Sequence, residues 1–309
     1  MPLPKHMRFG STANDAAFNA WLTDSTDPSN RGAAEGINAM MPLVSILVVF
    51  GGFMFFDLEQ ASSWTLIFAI IGALTAAIGI LGFFIIKEPE VKPVKDSYLG
   101  SILYGFHPKT VKENPKLYLG LLAFVLFNIS IQIFMPYLIL YYSVSLEMEN
   151  YVLIMAPAIL VAAVFTAVYG RVYDRKGFQT SIIPSLVLLM VGYVLLYFFR
   201  GAALVFAGSL LMMCGYLSAM AVFGARIRDL TPEGRSGMFQ GLRIVGQVLI
   251  PGVVGPAIGA AVLKNAEQVL GNDGTYAFKP NENIFLAALV AVVVLWIVLI
   301  PVFRKERKG

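Results

Sequence analysis

The fold of this chain is decided by two stretches, 24-DSTDPSNRGAAEGI-37 and 229-DLTPEGRSGMFQGL-242. They lie 205 residues apart, align without a gap, and each is followed by a long apolar run. A repeat at one fixed offset indicates a chain built from two related halves. Including the residues just upstream, the identities are Ala16, Phe18, Ala20, Asp24, Thr26, Gly32 and Gly36 with Ala221, Phe223, Ala225, Asp229, Thr231, Gly237 and Gly241.

The composition places the chain in a membrane. Of its 309 residues, 58% are hydrophobic and 14% are charged, and the mean hydropathy is +0.74. A soluble domain carries about 25% charged residues, so this chain must expose a large apolar area to lipid. The net charge of +4 comes from short loops between apolar runs, which argues against nucleic acid as a partner.

Eight apolar stretches are long enough to span a bilayer, which needs about 20 residues. Glycine and proline are frequent inside them, as membrane helices tolerate. The fold class predicted is therefore an all-α polytopic membrane protein with eight transmembrane helices. The predicted spans are 36–56, 64–86, 117–142, 151–170, 180–199, 202–225, 237–263 and 284–303.

The loops between the predicted spans set the orientation. Nineteen lysines and arginines fall on one side of the membrane and three on the other, with Arg243 inside a span. Under the positive-inside rule both termini are cytoplasmic, and we expect a multi-pass protein of the inner or plasma membrane. The first 35 residues hold no apolar stretch of signal-peptide length, so no cleavable leader is predicted.

The repeat also divides the chain. Six predicted spans separate the two copies, so the repeating unit has six helices. Residues 117–309 form a complete unit, and residues 87–116 form a cytoplasmic loop between the units. Residues 1–86 hold the end of one helix and two spans, as expected for a first unit that lacks its opening helices. The alternative is an eight-helix protein with a chance local similarity.

The loop 170-GRVYDRKGFQ-179 resembles the cytoplasmic signature of the major facilitator superfamily, G-x-x-x-D-R-x-G-[R/K]-[R/K]. Gly170, Asp174, Arg175 and Gly177 match it, whereas residues 178 and 179 depart from the basic pair. Glycines permit a tight reversal. The aspartate can face the amino terminus of a neighbouring helix, and the arginine can pair with a carboxylate. The alternative is an ordinary basic turn.

Stretches 104–122 and 225–243 further resemble the glycoside–pentoside–hexuronide:cation symporter branch of that superfamily. The resemblance implies a fold of two six-helix domains and the transport of a sugar or glycoside with H⁺ or Na⁺. It also implies that the cation-binding carboxylates lie mainly on early helices that this chain lacks. No other cofactor is expected.

The predicted cytoplasmic gate joins the signature loop to the repeat. Thr26 and Thr231 are predicted to start new helices. The repeated glycines are predicted to form faces of small residues for close helix packing. The predicted gate residues are Gly170, Asp174, Arg175, Gly177, Arg226, Arg228, Asp229 and Asp24.

Polar residues inside the spans predict a solute cavity, because amides and phenols suit sugar hydroxyls and a membrane-buried arginine is functional by default. For the amides and phenols the alternative is hydrogen bonding between helices, and for Arg243 it is an extension of the side chain to the cytoplasm. The predicted substrate-binding residues are Asn128, Gln132, Tyr137, Tyr141, Arg243 and Gln247.

These features predict a secondary transporter of a small polar solute. The alternatives are a proton-driven exporter of drugs or metabolites and a transport-incompetent fragment. An enzyme is not expected, since the loops carry no nucleophile–base set and no catalytic residues are assigned. The single cysteine, Cys214, and two separate histidines predict no metal site. The expected partners are the solute and the lipid bilayer, with no obligate protein partner.

Overall fold

A computed structural model describes residues 17–53, 55–57, 60–86, 104–148, 151–232, 234–270 and 276–306. Their regular secondary structure consists of ten helices of six or more residues, one 3₁₀ turn (Tyr104–Phe106) and one short hairpin. They are α1 (17–24), α2 (Arg31–Phe53), α3 (Ala61–Ile85), α4 (Pro108–Glu113), α5 (Pro115–Ser145), α6 and α7 (together Tyr151–Phe198), α8 (Ala202–Leu230), α9 (Ser236–Leu263), β1 (Gln268–Leu270), β2 (Tyr276–Phe278) and α10 (Asn283–Glu306).

The helices α6 and α7 are separated by a sharp reversal at Gly177. This residue has φ 73° and ψ −178°, a conformation that glycine adopts at little steric cost. The Tyr169 hydroxyl donates to the Ser181 carbonyl at 2.8 Å across the break. In a straight helix those residues would lie about 18 Å apart, so the chain turns back on itself. The predicted tight reversal is confirmed.

Six helices of the described chain are long and apolar enough to cross a membrane: Ala61–Ile85, Pro115–Ser145, Ile154–Phe198, Ala202–Leu230, Ser236–Leu263 and Asn283–Arg304. Because Ile154–Phe198 contains the Gly177 reversal, it holds two of the predicted spans. The first predicted span, 36–56, begins inside α2 but is not among the six. The number eight therefore stays a prediction.

The fold is helical apart from β1 and β2, a feature that the sequence analysis missed. The two strands pair antiparallel, with Val269 opposite Ala277. They lie between the last two spans, where the Ser145 hydroxyl donates to the nearby Pro280 carbonyl. We call this end of the bundle the hairpin end.

The opposite end carries both copies of the repeat, and we call it the repeat end. There α8 leads into the second copy, α1 leads into the first, and the reversal at Gly177 lies beside them. The aromatic core of α5, α7, α8 and α10 fills the space between the two ends, with Phe127 against Phe223 and Phe134 against Phe285. Helix α2 packs on α6 and α8 from outside this core, and α1 contacts α8 through Arg228.

Candidate functional site

The two copies of the repeat touch each other at the repeat end, and their contacts come in matched pairs. The Ser236 hydroxyl donates to Asp24 Oδ1 at 2.5 Å. With the 205-residue offset, Asp24 corresponds to Asp229 and Ser236 corresponds to Arg31. The equivalent contact is also present, since Arg31 Nη1 donates to Asp229 Oδ1 at 2.9 Å. Reciprocal contacts of this kind are what two copies related by a twofold axis produce.

A second matched pair lies deeper in the same interface. Arg228 Nε donates to Glu35 Oε1. The repeat-related contact joins Thr23 and Gln240, where the amide nitrogen lies 3.4 Å from the threonine hydroxyl. Position 35 is thus an ionised group in the first copy, and its counterpart at 240 is a neutral amide.

Glycines bring α2 against α6. A Cβ on Gly170 would meet the Gly32 carbonyl oxygen at 2.1 Å, and a Cβ on Gly36 would meet the Thr166 carbonyl oxygen at 2.8 Å. The two backbones therefore touch over one helical turn, which confirms the predicted small-residue face in the first copy. In the second copy, a Cβ on Gly237 or Gly241 would meet no described atom within 4 Å beyond its own helix, so the prediction of a close packing face is wrong there.

The carboxylate of Asp174 accepts hydrogen bonds from the amino terminus of α2. Its Oδ1 accepts from the Gly32 amide at 2.6 Å and its Oδ2 from the Ala33 amide at 2.9 Å. The first amides of a helix have no partner within the helix and carry the positive end of its dipole. The predicted placement of this aspartate at a neighbouring helix terminus is confirmed.

Asp229 links three helices. It accepts from Arg31 of α2 and from the Tyr173 hydroxyl of α6, while its own backbone belongs to α8. The side chains of Arg31 and Asp229 are 16% and 17% exposed, so this ion pair is largely shielded from solvent. A shielded pair holds α2 more firmly than a surface pair would.

Beneath this layer lies a group of buried polar residues that we call the inner cluster: Glu35, Arg228, Arg243, Asn19 and Thr23. Glu35 is 2% exposed and contacts both arginines, with Arg243 Nη2 at 3.2 Å from Oε1. The amide of Asn38 donates to the other carboxylate oxygen at 3.1 Å. The first unit thus places one carboxylate between two guanidinium groups of the second.

Arg228 is the most enclosed charge of the inner cluster, at 1% exposed. Its Nη1 donates to the Asn19 carbonyl at 2.6 Å and to the Thr23 hydroxyl at 2.5 Å, and its Nη2 donates to Asn19 Oδ1 at 2.9 Å. A buried charge is stable when it is paired and hydrogen-bonded in this way. This arginine anchors the end of α1 to α8.

The remaining predicted gate residues lie around this site. The Arg226 guanidinium lies 5.6 Å from the centre of the Phe178 ring. Arg175 is exposed, and no ion pair joins it to a carboxylate in the part of the chain that the structure describes. The structure therefore brings Asp174, Arg228 and Asp229 together and leaves Arg175 at the surface.

The threonines of the repeat do not start new helices, so that prediction is wrong. Thr26 donates to the Leu22 carbonyl at 2.6 Å, and Thr231 donates to the Ile227 carbonyl at 2.7 Å. Each hydroxyl instead satisfies a carbonyl in the last turn of the preceding helix. Arg235 precedes α9 without a side-chain cap.

The loop of the first copy is ordered by Asp27. The Ser29 hydroxyl donates to Oδ1 at 2.5 Å and the Ser29 amide at 2.8 Å. These two bonds stabilise the ionised carboxylate and hold the pKa of Asp27 below its ordinary value. The carboxylate thereby fixes the turn between α1 and α2.

The predicted cavity residues of α5 face neighbouring backbones. Asn128 donates to the Phe124 carbonyl of its own helix at 2.8 Å. Gln132 lies at a close contact between α5 and α9, since a Cβ on Gly255 would lie 2.4 Å from its Cβ. Tyr137 reaches the Pro256 carbonyl at 3.4 Å.

Tyr141 and Gln247 lie far apart, each in a π-helical turn. Tyr141 is buried near the hairpin end, where its hydroxyl donates to the Leu196 carbonyl at 3.1 Å. Gln247 lies in the turn Val245–Leu249, one helical turn beyond Arg243, with the Met220 sulfur at 4.0 Å from its amide nitrogen. Gln247 thus follows Arg243 by one turn on α9, whereas Tyr141 belongs to α5 near the hairpin end.

Sequence reasoning missed Glu35 as a site residue. The repeat itself held the signal, because Glu35 aligns with Gln240 and a carboxylate there faces arginines of the other copy. In the described chain, no group of three His, Cys, Asp or Glu residues is arranged to hold a metal ion.

The described geometry defines a polytopic helical membrane protein whose two copies of the repeat contact each other at the repeat end. A family profile of the Major Facilitator Superfamily matches residues 7–256, which is most of the chain. The chain therefore belongs to the major facilitator superfamily, whose members are transporters. A search of curated proteins finds no match.

Proposed function

We propose that this protein is a secondary transporter that moves a small polar solute by alternating access. The observation that carries the proposal is the set of polar contacts between the two copies of the repeat, centred on the Glu35–Arg228 pair. Such contacts hold two helical units together in one state, and separation of the units would open a path to the solute. The gate consists of the inner cluster together with Asp24, Asp174 and Asp229.

The course of α2 supports this proposal. At its start it touches α6 backbone to backbone through Gly32 and Gly36. Further along, Met41 and Val44 are 51% and 37% exposed, and Gly52 meets no described atom within 4 Å. The described contacts between the units are therefore concentrated at the repeat end, as expected of a transporter closed on that side.

Both termini and the repeat end would face the cytoplasm, by the distribution of basic residues between the loops. The solute would then enter from the hairpin end. We assign Asn128, Gln132, Tyr137, Arg243 and Gln247 to the solute path. Amide and phenol groups beside aromatic rings favour a sugar or a related hydroxylated solute, and H⁺ or Na⁺ is the proposed coupling ion.

Uptake into proteoliposomes tests the function. The purified chain is reconstituted, and uptake of radiolabelled sugars is measured with and without H⁺ and Na⁺ gradients. We expect Gln132→Ala and Arg243→Ala to lower uptake by at least about tenfold, the effect of roughly one lost hydrogen bond to a charged group, at unchanged protein abundance. Thr75→Ala, on the exposed face of α3, is the matched control.

Unchanged uptake in both variants would refute the proposed solute path. An absence of uptake for every sugar tested, with the protein folded in the liposomes, would favour the transport-incompetent fragment. Efflux of a lipophilic cation driven by a proton gradient would favour the exporter. Each result therefore selects one of the alternatives.

A further inference from the structure

The inner cluster contains a guanidinium nitrogen without a partner. Arg243 is 6% exposed, and its Nη2 lies 3.2 Å from Glu35 Oε1. Its Nη1 is buried and has no hydrogen-bond acceptor among the described residues. Leaving a buried charged donor unsatisfied costs at least about 1–3 kcal/mol, so a ligand that supplied an acceptor to this atom would recover that free energy.

The charges of the inner cluster do not balance. Arg228 and Arg243 share a single carboxylate, that of Glu35. The other acidic groups that the structure describes at the repeat end are already engaged: Asp229 by Arg31 and Tyr173, Asp24 by Ser236, Asp27 by Ser29, and Asp174 by two backbone amides. None of these groups reaches the free nitrogen of Arg243, so among the described residues the inner cluster has one negative charge fewer than it has positive charges.

We propose that the solute supplies this charge, and that the transported molecule is a polar solute bearing one carboxylate. This inference rests on the proposed transport function and narrows its substrate class. The carboxylate would accept a hydrogen bond from Arg243 Nη1, because a hydrogen bond between a guanidinium and a carboxylate is about twice as strong as one between neutral groups. A deficit of one charge favours a carboxylate over a doubly charged phosphate ester.

The neighbouring side chains suit the rest of such a solute. Gln247 lies one turn further into α9, and its amide nitrogen has a weak sulfur acceptor at 4.0 Å. Gln240 lies one turn before Arg243, with acceptors at 3.3 and 3.4 Å from its amide nitrogen. These two amides flank the guanidinium and can exchange their weak bonds for solute hydroxyls.

Binding of the carboxylate would also weaken the gate. The solute and Glu35 would compete for the same guanidinium, so solute binding removes part of the attraction between the two units. A ligand shifts a conformational equilibrium by its difference in affinity for the two states. The carboxylate would therefore favour the state in which Glu35 and Arg243 are apart.

Matched pairs of acid and amide test the inference. The purified full chain is kept in detergent, and thermal unfolding is followed with glucuronate and glucuronamide, gluconate and gluconamide, and lactate and lactamide. Within each pair the shape is similar and the charge differs. We expect at least one carboxylate to raise the midpoint of unfolding in a saturable manner, and its amide to have no effect at the same concentration.

Four variants locate the effect. Arg243→Gln should abolish the stabilisation, and Arg243→Lys should retain part of it. Glu35→Gln should tighten carboxylate binding by about tenfold or more, because the competing acid is removed. Arg235→Gln is the control, since that guanidinium stacks on Tyr104 at 4.1 Å from the ring centre, outside the inner cluster.

The inference is overturned if no carboxylate stabilises the wild-type chain more than its amide does, or if Arg243→Gln keeps the effect. If Arg243→Gln does not fold, the inference is tested by the acid and amide pairs on the wild-type chain and by carboxylate binding to Glu35→Gln. This result is separable from the transport proposal. Carboxylate binding without uptake would refute transport alone, and uptake of neutral sugars without carboxylate binding would refute this inference alone.

Discussion

The two copies of the repeat share sequence but not surroundings. In the first copy, Gly36 presses against the Thr166 carbonyl of α6, whereas the equivalent Gly241 meets no described atom within 4 Å. At the aligned position just before these glycines, Glu35 is a buried acid and Gln240 a buried neutral amide. The comparison shows that the repeated glycines permit close helix packing in both copies. Whether that packing occurs depends on which helix lies beside each copy.

The largest effect on stability is expected for the ion pair between Glu35 and Arg228. Arg228→Ala removes a guanidinium and leaves Glu35 buried with one cation. We expect a loss of about 3–5 kcal/mol in the free energy of unfolding, as for other broken buried pairs. Gln240→Ala, at the neutral counterpart of Glu35, should cost about 1 kcal/mol. Denaturant unfolding in detergent micelles measures both, and equal costs would contradict the comparison.

The glycine pair should give effects of opposite sign. Gly36→Ala places a methyl group 2.8 Å from a backbone oxygen and should destabilise the protein by about 1–3 kcal/mol. Gly241→Ala meets open space inside a helix and should stabilise it by about 0.5–1 kcal/mol. The same unfolding assay applies. If Gly36→Ala were also stabilising, the close contact between α2 and α6 would be refuted.

The helix terminus held by Asp174 should give a smaller effect. Asp174→Asn keeps the shape but removes the negative charge beside the first amides of α2, which we expect to cost about 1 kcal/mol. Arg175→Gln changes the exposed neighbouring residue and should be neutral. Amide hydrogen exchange over residues 32–36 measures the local opening of α2. Equal exchange in the two variants would contradict the assigned role of the aspartate.

The smallest expected effect is at the edge of the interface. Ser236→Ala removes the hydrogen bond to Asp24 and should cost about 0.5–1.5 kcal/mol. Ser25→Ala, at an exposed residue beside that aspartate, serves as the control. A double-mutant cycle with Asp24→Asn isolates the pair, and a coupling free energy of zero would show that the contact contributes nothing.

Sequence reasoning predicted the features that follow from periodicity and composition. The helical membrane class, the reversal at Gly177 and the placement of Asp174 were each visible as local patterns, because lipid burial and backbone geometry act on neighbouring residues. The short hairpin of β1 and β2 was missed, since strands of three residues carry too weak a signal.

The inner cluster shows where local reasoning stops. Glu35 and Arg228 are 193 residues apart, and their pairing depends on how two helical units dock. The repeat held the information, because contacts across a twofold axis join each copy to the other. The prediction for Thr26 and Thr231 was wrong because a local pattern was ambiguous. A threonine between two helices can hydrogen-bond to the end of the first helix or to the start of the second.

The central claim is that the two units separate at the repeat end when the solute moves. Spin labels at Ser25→Cys and Gly237→Cys, on a Cys214→Ala background, measure the distance between the two copies by double electron–electron resonance. In liposomes the account predicts two distance populations, with the longer one enriched by a transported solute and by Arg228→Ala. A single short distance that neither solute nor this substitution alters would contradict it.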